Sequence, residues 1–363
     1  MQNNFFDFLV LPLLVSFFAT ALITPLCIIF FKKIGLIDDP KTHKHPAIIH
    51  KLPIPRGGGI PLFLGALIAG LIYLPKNTVT LALLIASAIA LIIGIIDDKL
   101  NSESRDASPK IRFLINIITA VIVVSSGVSI HFITNPFGGG ILHLDAIRIP
   151  VFNFLVSDTI SVLWLVWVMN MINWSKGVDG QMPGIVAISA IVIGLLSLKL
   201  NTHSGAIDFL DVKLSFIIAG AALGFLIYNF SPAKIFPGYG ATSIYLLLGV
   251  TSILSSAKLA TAVLVMGVPT IDALFTIIRR ITNKKSPFHG DNKHLHHNLL
   301  KLGYSQRQVA LFYWSISAIL GIISLTLDSK SKVFALIMLT AITGGVLLFL
   351  HFVTGPTNEK NVS

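Results

Sequence analysis

Long apolar runs recur along almost the whole chain, beginning with Phe8–Phe31. A run of about 18 or more apolar residues crosses the roughly 30 Å hydrocarbon core of a bilayer as a helix, which satisfies its own backbone hydrogen bonds where no water can. The chain has 363 residues, 12% charged and with mean hydropathy +0.83, so no soluble domain of any size fits between the runs. The expectation is an all-α integral membrane protein forming one polytopic bundle over residues 1–363, with about eleven (ten or eleven) transmembrane helices. They are placed at about 8–31, 57–74, 78–96, 112–131, 155–173, 183–199, 212–229, 241–255, 257–276, 309–326 and 333–353. Residues 309–353 hold the last two helices and 354–363 a tail.

No Lys or Arg precedes Lys32, and the first run is longer than the apolar segment of a signal peptide, so it is read as a retained helix. The single cysteine, Cys27, lies inside that run, which excludes a disulfide framework or a cysteine zinc site and leaves a lipid-facing or core-packing role. A net charge of +11 suggests nucleic acid, but the basic residues are spread over the loops between helices, so no nucleic-acid partner is expected. Twenty of the 27 Lys and Arg residues fall in the loops after odd-numbered helices and in the tail. By the positive-inside rule the N-terminus is outside and the C-terminus cytoplasmic. The one long external connection, about 132–154, alternates apolar and polar residues around Gly138–Gly140, the pattern of a small β-hairpin.

Five inside segments carry polar residues capable of chemistry. Asp97 and Asp98 end an apolar run; two acids at a helix C-terminus oppose its dipole, so helix stability does not explain them. Asn170, Asn173 and Asp179 flank Lys176 in a turn with Gly177 and Gly180, which ordinary turn chemistry explains about as well as function. Asn229–Ser243 is a glycine-rich loop entering a helix near Thr242, a backbone able to approach a phosphate. His294, His296 and His297 stand near Asp291 and Lys293; metal binding, phosphate contact and a pH-sensitive surface patch are the readings of such a cluster. Lys51 and Arg56 lie beside Gly57–Gly59, where ordinary positive-inside charge is the simple account. Asp272 has Arg279 and Arg280 as pairing candidates. All five loops fall on one face under a topology derived from Lys/Arg counts alone. That clustering suits chemistry between a soluble phosphorylated substrate and a lipid one, whereas a transporter, the alternative of another class, predicts polar residues at mid-membrane.

These motifs, in this order, resemble the polyprenyl-phosphate N-acetylhexosamine-1-phosphate transferases, a membrane superfamily that begins peptidoglycan, teichoic acid and O-antigen assembly. The resemblance covers about 24–310 and rests on Pro55–Gly59, Asp97–Asp98, Asn173–Gly180 in place of N-x-x-D-G-x-D-G, Asn229–Ser243 in place of N-x-x-P-A-K-x-F-x-G-D-x-G-S, and His294-x-His296-His297. The H-x-H-H form and the eleven helices look more like the branch using UDP-N-acetylglucosamine than the phospho-MurNAc-pentapeptide transferases.

The resemblance implies transfer of a HexNAc-1-phosphate from a UDP-sugar to undecaprenyl or another polyprenyl phosphate, with release of UMP, at the cytoplasmic face of the cell membrane. It implies Mg²⁺ or Mn²⁺ as cofactor and allows a homodimer. Asp97, Asp98, Asp179 and His294 would be catalytic, with Asp97 and Asp98 activating the lipid phosphate or holding metal. Lys51, Arg56, Lys110, Asn173, Lys176, Phe236, His296 and His297 would bind substrate, Phe236 against uracil. Two departures stand out: Lys176 replaces an Asp of the second motif, and Tyr239 replaces the Asp that is the family's metal ligand. Together they shift the local formal charge by +3, which leads to the expectation that Lys176 partly replaces the metal. The rival is an inactive homologue that binds lipid phosphate or nucleotide.

Overall fold

The computed structural model describes residues 6–41, 50, 52–105, 107–135, 140–149, 155–204, 209–255, 259–286 and 294–353. After a π-turn at Phe6–Val10 come α1 (Leu11–Ile34), α2 (Gly59–Tyr73), α3 (Thr78–Ser102), α4 (Pro109–Val124), α5 (Val156–Trp174), α6 (Gln181–Ser204) and α7 (Leu210–Asn229). They are followed by α8 (Thr242–Leu254), α9 (Leu259–Val265), α10 (Gly267–Thr282), α11 (Leu295–Lys301), α12 (Gln306–Thr326) and α13 (Ser329–Val353).

Local chemistry sets several of the boundaries. The α1 helix stops at Gly35, whose φ of 74° is the left-handed conformation a glycine cap supplies, and Lys32 and Lys33 in its last turn favour the negative end of the dipole. The side chain of Asn77 accepts the Thr80 N–H to start α3. Ser305 and Gln308 form a reciprocal capping box at the start of α12.

Among the described residues, seven helices are long and apolar enough to cross a membrane, and an eighth span results if α9 and α10 count as one. Every segment expected from the apolar pattern contains helix, but α2, α4 and α8 have only 15, 16 and 13 residues. At about 1.5 Å per residue they reach roughly 20–24 Å, which falls short of a full hydrocarbon core. The ninth expected helix is not continuous: it breaks at Met266 and bends by 83°. Pro269 lies in the first turn of α10, where a missing N–H costs nothing, so the sequence restarts a helix there rather than continuing one. The fourth expected helix starts earlier, at Pro109, and ends at Val124, followed by Gly127 with φ of 100°.

Most residues of α7, and every residue of α8 except Leu254, are buried. Gly220 and Gly224 lie so close to α1 that a Cβ would overlap the carbonyl oxygens of Leu13 and Phe17, and a Cβ on Gly65 of α2 would overlap Thr20. Close approach through small residues gives these helices their van der Waals contact, because lipid supplies no hydrophobic drive between them. By contrast, α1 exposes Phe18, Leu22, Leu26, Ile29 and Phe30, and α13 exposes Phe334, Ile337, Ile342 and Phe349, the apolar surface a bilayer would cover. Cys27 is buried and free, in keeping with a packing role.

Two small antiparallel ladders complete the fold. In one, β1 (Ile37–Asp38) pairs with β2 (Ile54–Pro55) and brings the start of the Arg56–Gly59 segment against the end of α1. The other, β3 (Phe132–Thr134) with β4 (Ile141–His143), is the hairpin expected from the alternating pattern, in the register Phe132 to His143.

Candidate active site

The end of α3 is the centre of the polar cluster, with Asp97 and Asp98 both buried. Asp98 Oδ1 accepts from Arg56 Nε at 3.1 Å and from the Tyr239 N–H at 2.8 Å, and Oδ2 accepts a longer bond from the Gly240 N–H at 3.4 Å. Gly238 has φ of 68°, and a Cβ there would overlap the Asp98 carboxylate, so the loop before α8 closes on Asp98 only with glycine at 238. On the other side, Arg56 donates to Asp38 Oδ2 at 2.7 Å, the position opposite Ile54 in the β1–β2 ladder.

Asp97 is held separately. Its Oδ1 accepts from Arg112 Nε at 2.6 Å and its Oδ2 from Asn101 Nδ2 at 3.0 Å. Lys110, expected from the resemblance to bind substrate, is exposed in the first turn of α4, and Arg112 is the residue of that turn that reaches Asp97. Positions two apart on a helix point about 200° apart, so only one of the two can face α3.

Lys176, in the connection from α5 to α6, donates to the Gly238 carbonyl at 3.1 Å. Its ammonium and the Arg112 guanidinium both lie near the Tyr239 ring, at 5.7 and 5.3 Å from the centroid. Burial, with the Arg56 charge added to it, lowers the Lys176 pKa to about 7. Burial pushes the Tyr239 phenol up, so the residue stays neutral.

Asp179 sits deeper in the same connection, with its pKa raised by burial. Its Oδ2 accepts the Ala233 N–H at 3.0 Å, and Asn229 Oδ1 accepts the Gly180 N–H at 3.1 Å, which ties this turn to the α7–α8 loop. The third tie is to α11: a Cβ on Gly177 would overlap the imidazole of His296. His296 is buried and stacks on His294 with ring centroids 5.5 Å apart, and burial beside His297 and His294 lowers its pKa.

His294 is oriented from α10. Asp272 Oδ2 lies 2.9 Å from its Nδ1, and Asp272 Oδ1 accepts the Leu295 N–H at 2.9 Å, so one carboxylate fixes both the ring and the start of α11. The sequence-based pairing of Asp272 with Arg279 or Arg280 is therefore corrected. Seven or eight residues on, those side chains lie about 10–12 Å along the helix, whereas Thr276, one turn away, shares the contact to His294.

Phe236 is anchored by its backbone: its N–H donates to the Pro55 carbonyl at 2.8 Å and its carbonyl accepts the Gly58 N–H at 2.9 Å. The ring is only partly buried and meets His50 edge-on at 4.9 Å. Lys51 and Asp291 lie outside the described residues. Asn173 Oδ1, Asn116 Nδ2 and His296 Nδ1 are buried without a hydrogen-bond partner among the described residues. A buried polar atom left unpaired costs about 1–3 kcal/mol, and others occur elsewhere in the bundle, at Thr20, Ser189 and Tyr245 among the described residues.

The five segments singled out in the sequence are thus linked by contacts, the histidines through Gly177 and the others through Asp98 and the Phe236–Gly240 loop. Sequence reasoning missed Arg112, Asp38 and the Asp272–His294 pair. For the first two the charge was visible, but nothing in the local pattern paired Arg112 with Asp97, 15 residues away, or Asp38 with Arg56, 18 residues away.

Residues 80–256 match the model of glycosyl transferase family 4. The chain is 32% identical over 364 residues, 97% of its own length and 94% of the other's, to the probable undecaprenyl-phosphate N-acetylglucosaminyl 1-phosphate transferase of Bacillus subtilis (strain 168). It is 30% identical to the decaprenyl-phosphate N-acetylglucosaminephosphotransferase of Mycolicibacterium smegmatis, over 83% of this chain and 76% of that one. The phospho-N-acetylmuramoyl-pentapeptide-transferase of Thermodesulfovibrio yellowstonii is 29% identical over 87% and 91% of the two chains. The matched segment holds Asp97, Asp98, Lys176, Asp179 and Gly238, and the chain belongs to glycosyl transferase family 4.

Proposed function

We propose that this protein transfers an N-acetylhexosamine 1-phosphate, N-acetylglucosamine 1-phosphate being the best-supported case, from a UDP-sugar to a polyprenyl phosphate at the cytoplasmic face of the membrane. The observation that carries the reading is the convergence of Asp98, Lys176, Asp179, Phe236 and His294 on one polar cluster at the end of an otherwise apolar bundle. A lipid phosphate held in the bilayer surface and a soluble nucleotide can both reach such a place, and the names of the relatives point to this pair of substrates.

An oxygen of the lipid phosphate attacks the β-phosphorus of the UDP-sugar. A new phosphorus–oxygen bond forms, and the bond from the β-phosphorus to the bridging oxygen breaks. UMP leaves with that electron pair, and a polyprenyl diphospho-sugar remains. The work left to the protein is positioning and charge. In this reading Asp98 fixes Arg56 and the Gly238–Gly240 backbone, Lys176 faces the diphosphate, Phe236 lies against uracil, and His294, with its Nδ1 turned to Asp272, presents Nε2 to a phosphate oxygen or its proton.

Eleven crossings, with the N-terminus outside, fit the same geometry. The α1–α2, α3–α4, α5–α6, α7–α8 and α10–α12 connections all supply residues to one end, so the intervening helices must alternate in direction. The short α8 then crosses buried among its neighbours, whereas α2 and α4, with exposed apolar side chains, cross with local thinning of the bilayer, and α9 and α10 form one broken span.

Membranes containing the protein, incubated with undecaprenyl phosphate and several UDP-sugars, are expected to yield a lipid diphospho-sugar by mass spectrometry. No lipid product with any of them, while the nucleotide still binds, would sink the transferase reading in favour of a binding protein.

Asp272 is expected to act as a positioning residue. Asp272→Asn keeps an oxygen for the Leu295 N–H but cannot hold His294 as a carboxylate does, so turnover should fall about 100-fold with nucleotide binding little changed. Equal losses in binding and turnover would instead assign Asp272 to α11 folding alone.

A further inference from the structure

The carboxylates of Asp97 and Asp98 are engaged by the protein's own donors, a poor fit for a divalent cation. Magnesium takes oxygen ligands in near-octahedral geometry and commonly relies on one or two carboxylates with lone pairs to spare. Here both oxygens of Asp97 are engaged, by Arg112 and Asn101, while Asp98 is engaged by Arg56 and by the N–H groups of Tyr239 and Gly240. No group of three His, Cys, Asp or Glu side chains that could hold a metal occurs among the described residues.

The charge balance points the same way. Arg56, Arg112 and Lys176 match Asp38, Asp97 and Asp98 one for one. With aspartate at 176 and 239, as in the family pattern, the same shell would carry three negative charges in excess. A buried excess of that size demands a metal or other cations. In this chain the protein's own side chains already supply the balance. Two of the three cations are spoken for by carboxylates within 3.1 Å, whereas Lys176 is fastened by the neutral Gly238 carbonyl, and an incoming anion would draw its buried amine to the protonated form. Tyr239 completes the arrangement, since its ring carries both Arg112 and Lys176 where a carboxylate would instead attract an ion.

We infer that Lys176, seated with Arg112 on the Tyr239 ring, serves as the counter-charge for the sugar-nucleotide diphosphate, and that binding and transfer proceed without a divalent metal. This rests on the transferase reading above, so the test separates the two.

Purified protein in detergent, given undecaprenyl phosphate and UDP-N-acetylglucosamine, is expected to turn over within about twofold in EDTA and in Mg²⁺, because no metal charge is being supplied. UDP-N-acetylglucosamine binding, measured by calorimetry in EDTA, is expected to weaken at least about tenfold in Lys176→Gln and to survive in Lys176→Arg, as loss of one charge-assisted contact implies. A Mn²⁺ titration of the wild-type protein followed by electron paramagnetic resonance should show no site-bound ion. Loss of activity or nucleotide binding in EDTA, restored by Mg²⁺, overturns the inference, as does a bound Mn²⁺ that Asp97→Asn displaces. If no lipid product forms under either condition, the binding arm decides. Metal-independent binding that needs Lys176 keeps the counter-charge and removes only the transfer step, whereas binding that requires Mg²⁺ removes the counter-charge as well.

Discussion

Asp98→Asn should abolish sugar-phosphate transfer, lowering turnover by about 10³-fold while the protein still folds and inserts. The amide has the same shape and keeps an oxygen to accept the Tyr239 N–H, which donates to Asp98 Oδ1 at 2.8 Å. What it loses is the charge that faces Arg56, and that charge is fully buried. Removing one member of a buried pair usually costs about 3–5 kcal/mol. Arg56 retains Asp38 at 2.7 Å, so the folding cost should fall below that range and the damage should be concentrated in the site. Arg56 would then lean toward Asp38, and the Gly238–Gly240 backbone would lose its charged acceptor. The measurement is transfer of labelled sugar phosphate into extractable lipid, beside the melting temperature in detergent. Turnover within about threefold of wild type would mean that Asp98 is structural and that the reaction, if any, is organised elsewhere.

The second large effect is expected on stability. Gly94 of α3 faces the loop before α8 so closely that a Cβ would overlap Gly240 Cα and N and come within 2.8 Å of the Tyr239 carbonyl carbon. From the opposite side Gly59, at the start of α2, meets the same Gly240 backbone. The loop is therefore clamped between two helices, and neither can retreat without parting from it. The atoms in the way are backbone, which cannot swing aside as a flexible side chain would. Gly94→Ala should thus exceed the usual overpacking cost and destabilise the protein by about 3 kcal/mol or more. It should also remove activity, because moving Gly240 pulls its N–H and that of Tyr239 away from Asp98. Gly344→Ala is the matched control: nothing lies within 4 Å of a Cβ at that position of α13, so only the helix propensity gain of about 0.5–1 kcal/mol remains. Melting temperatures moving in opposite directions would bear the clamp out; equal shifts would show that the loop can yield.

Much of the architecture was legible because lipid leaves few choices. An apolar run must be helical to satisfy its backbone, and all eleven runs contain helix. The alternating residues flanking Gly138–Gly140 do form a hairpin, and the start of α8 at Thr242 follows the glycine-rich stretch as read. The bend at Met266 was less visible, since apolar residues continue through it and hydropathy does not report direction. Only Gly267 and Pro269 hinted at a restart.

The same division runs through the site. Composition and spacing named the ingredients, since Asp97, Asp98, Lys176, Asp179 and His294 are polar residues that lipid does not tolerate without cause. Which cation meets which acid was a matter of helix rotation and loop path. Arg112 rather than Lys110 faces Asp97, Asp38 reaches Arg56 through a two-residue ladder, and Asp272 turns to His294 rather than to the arginines on its own helix. Sequence determined the solvent this chain folds in, the helices that follow from it and the residues it keeps at one surface, because those depend on local hydrophobicity and backbone satisfaction. Only the tertiary structure decided that the carboxylates are neutralised by the protein's own cations, because such pairing depends on distances between segments far apart along the chain, which no local pattern encodes.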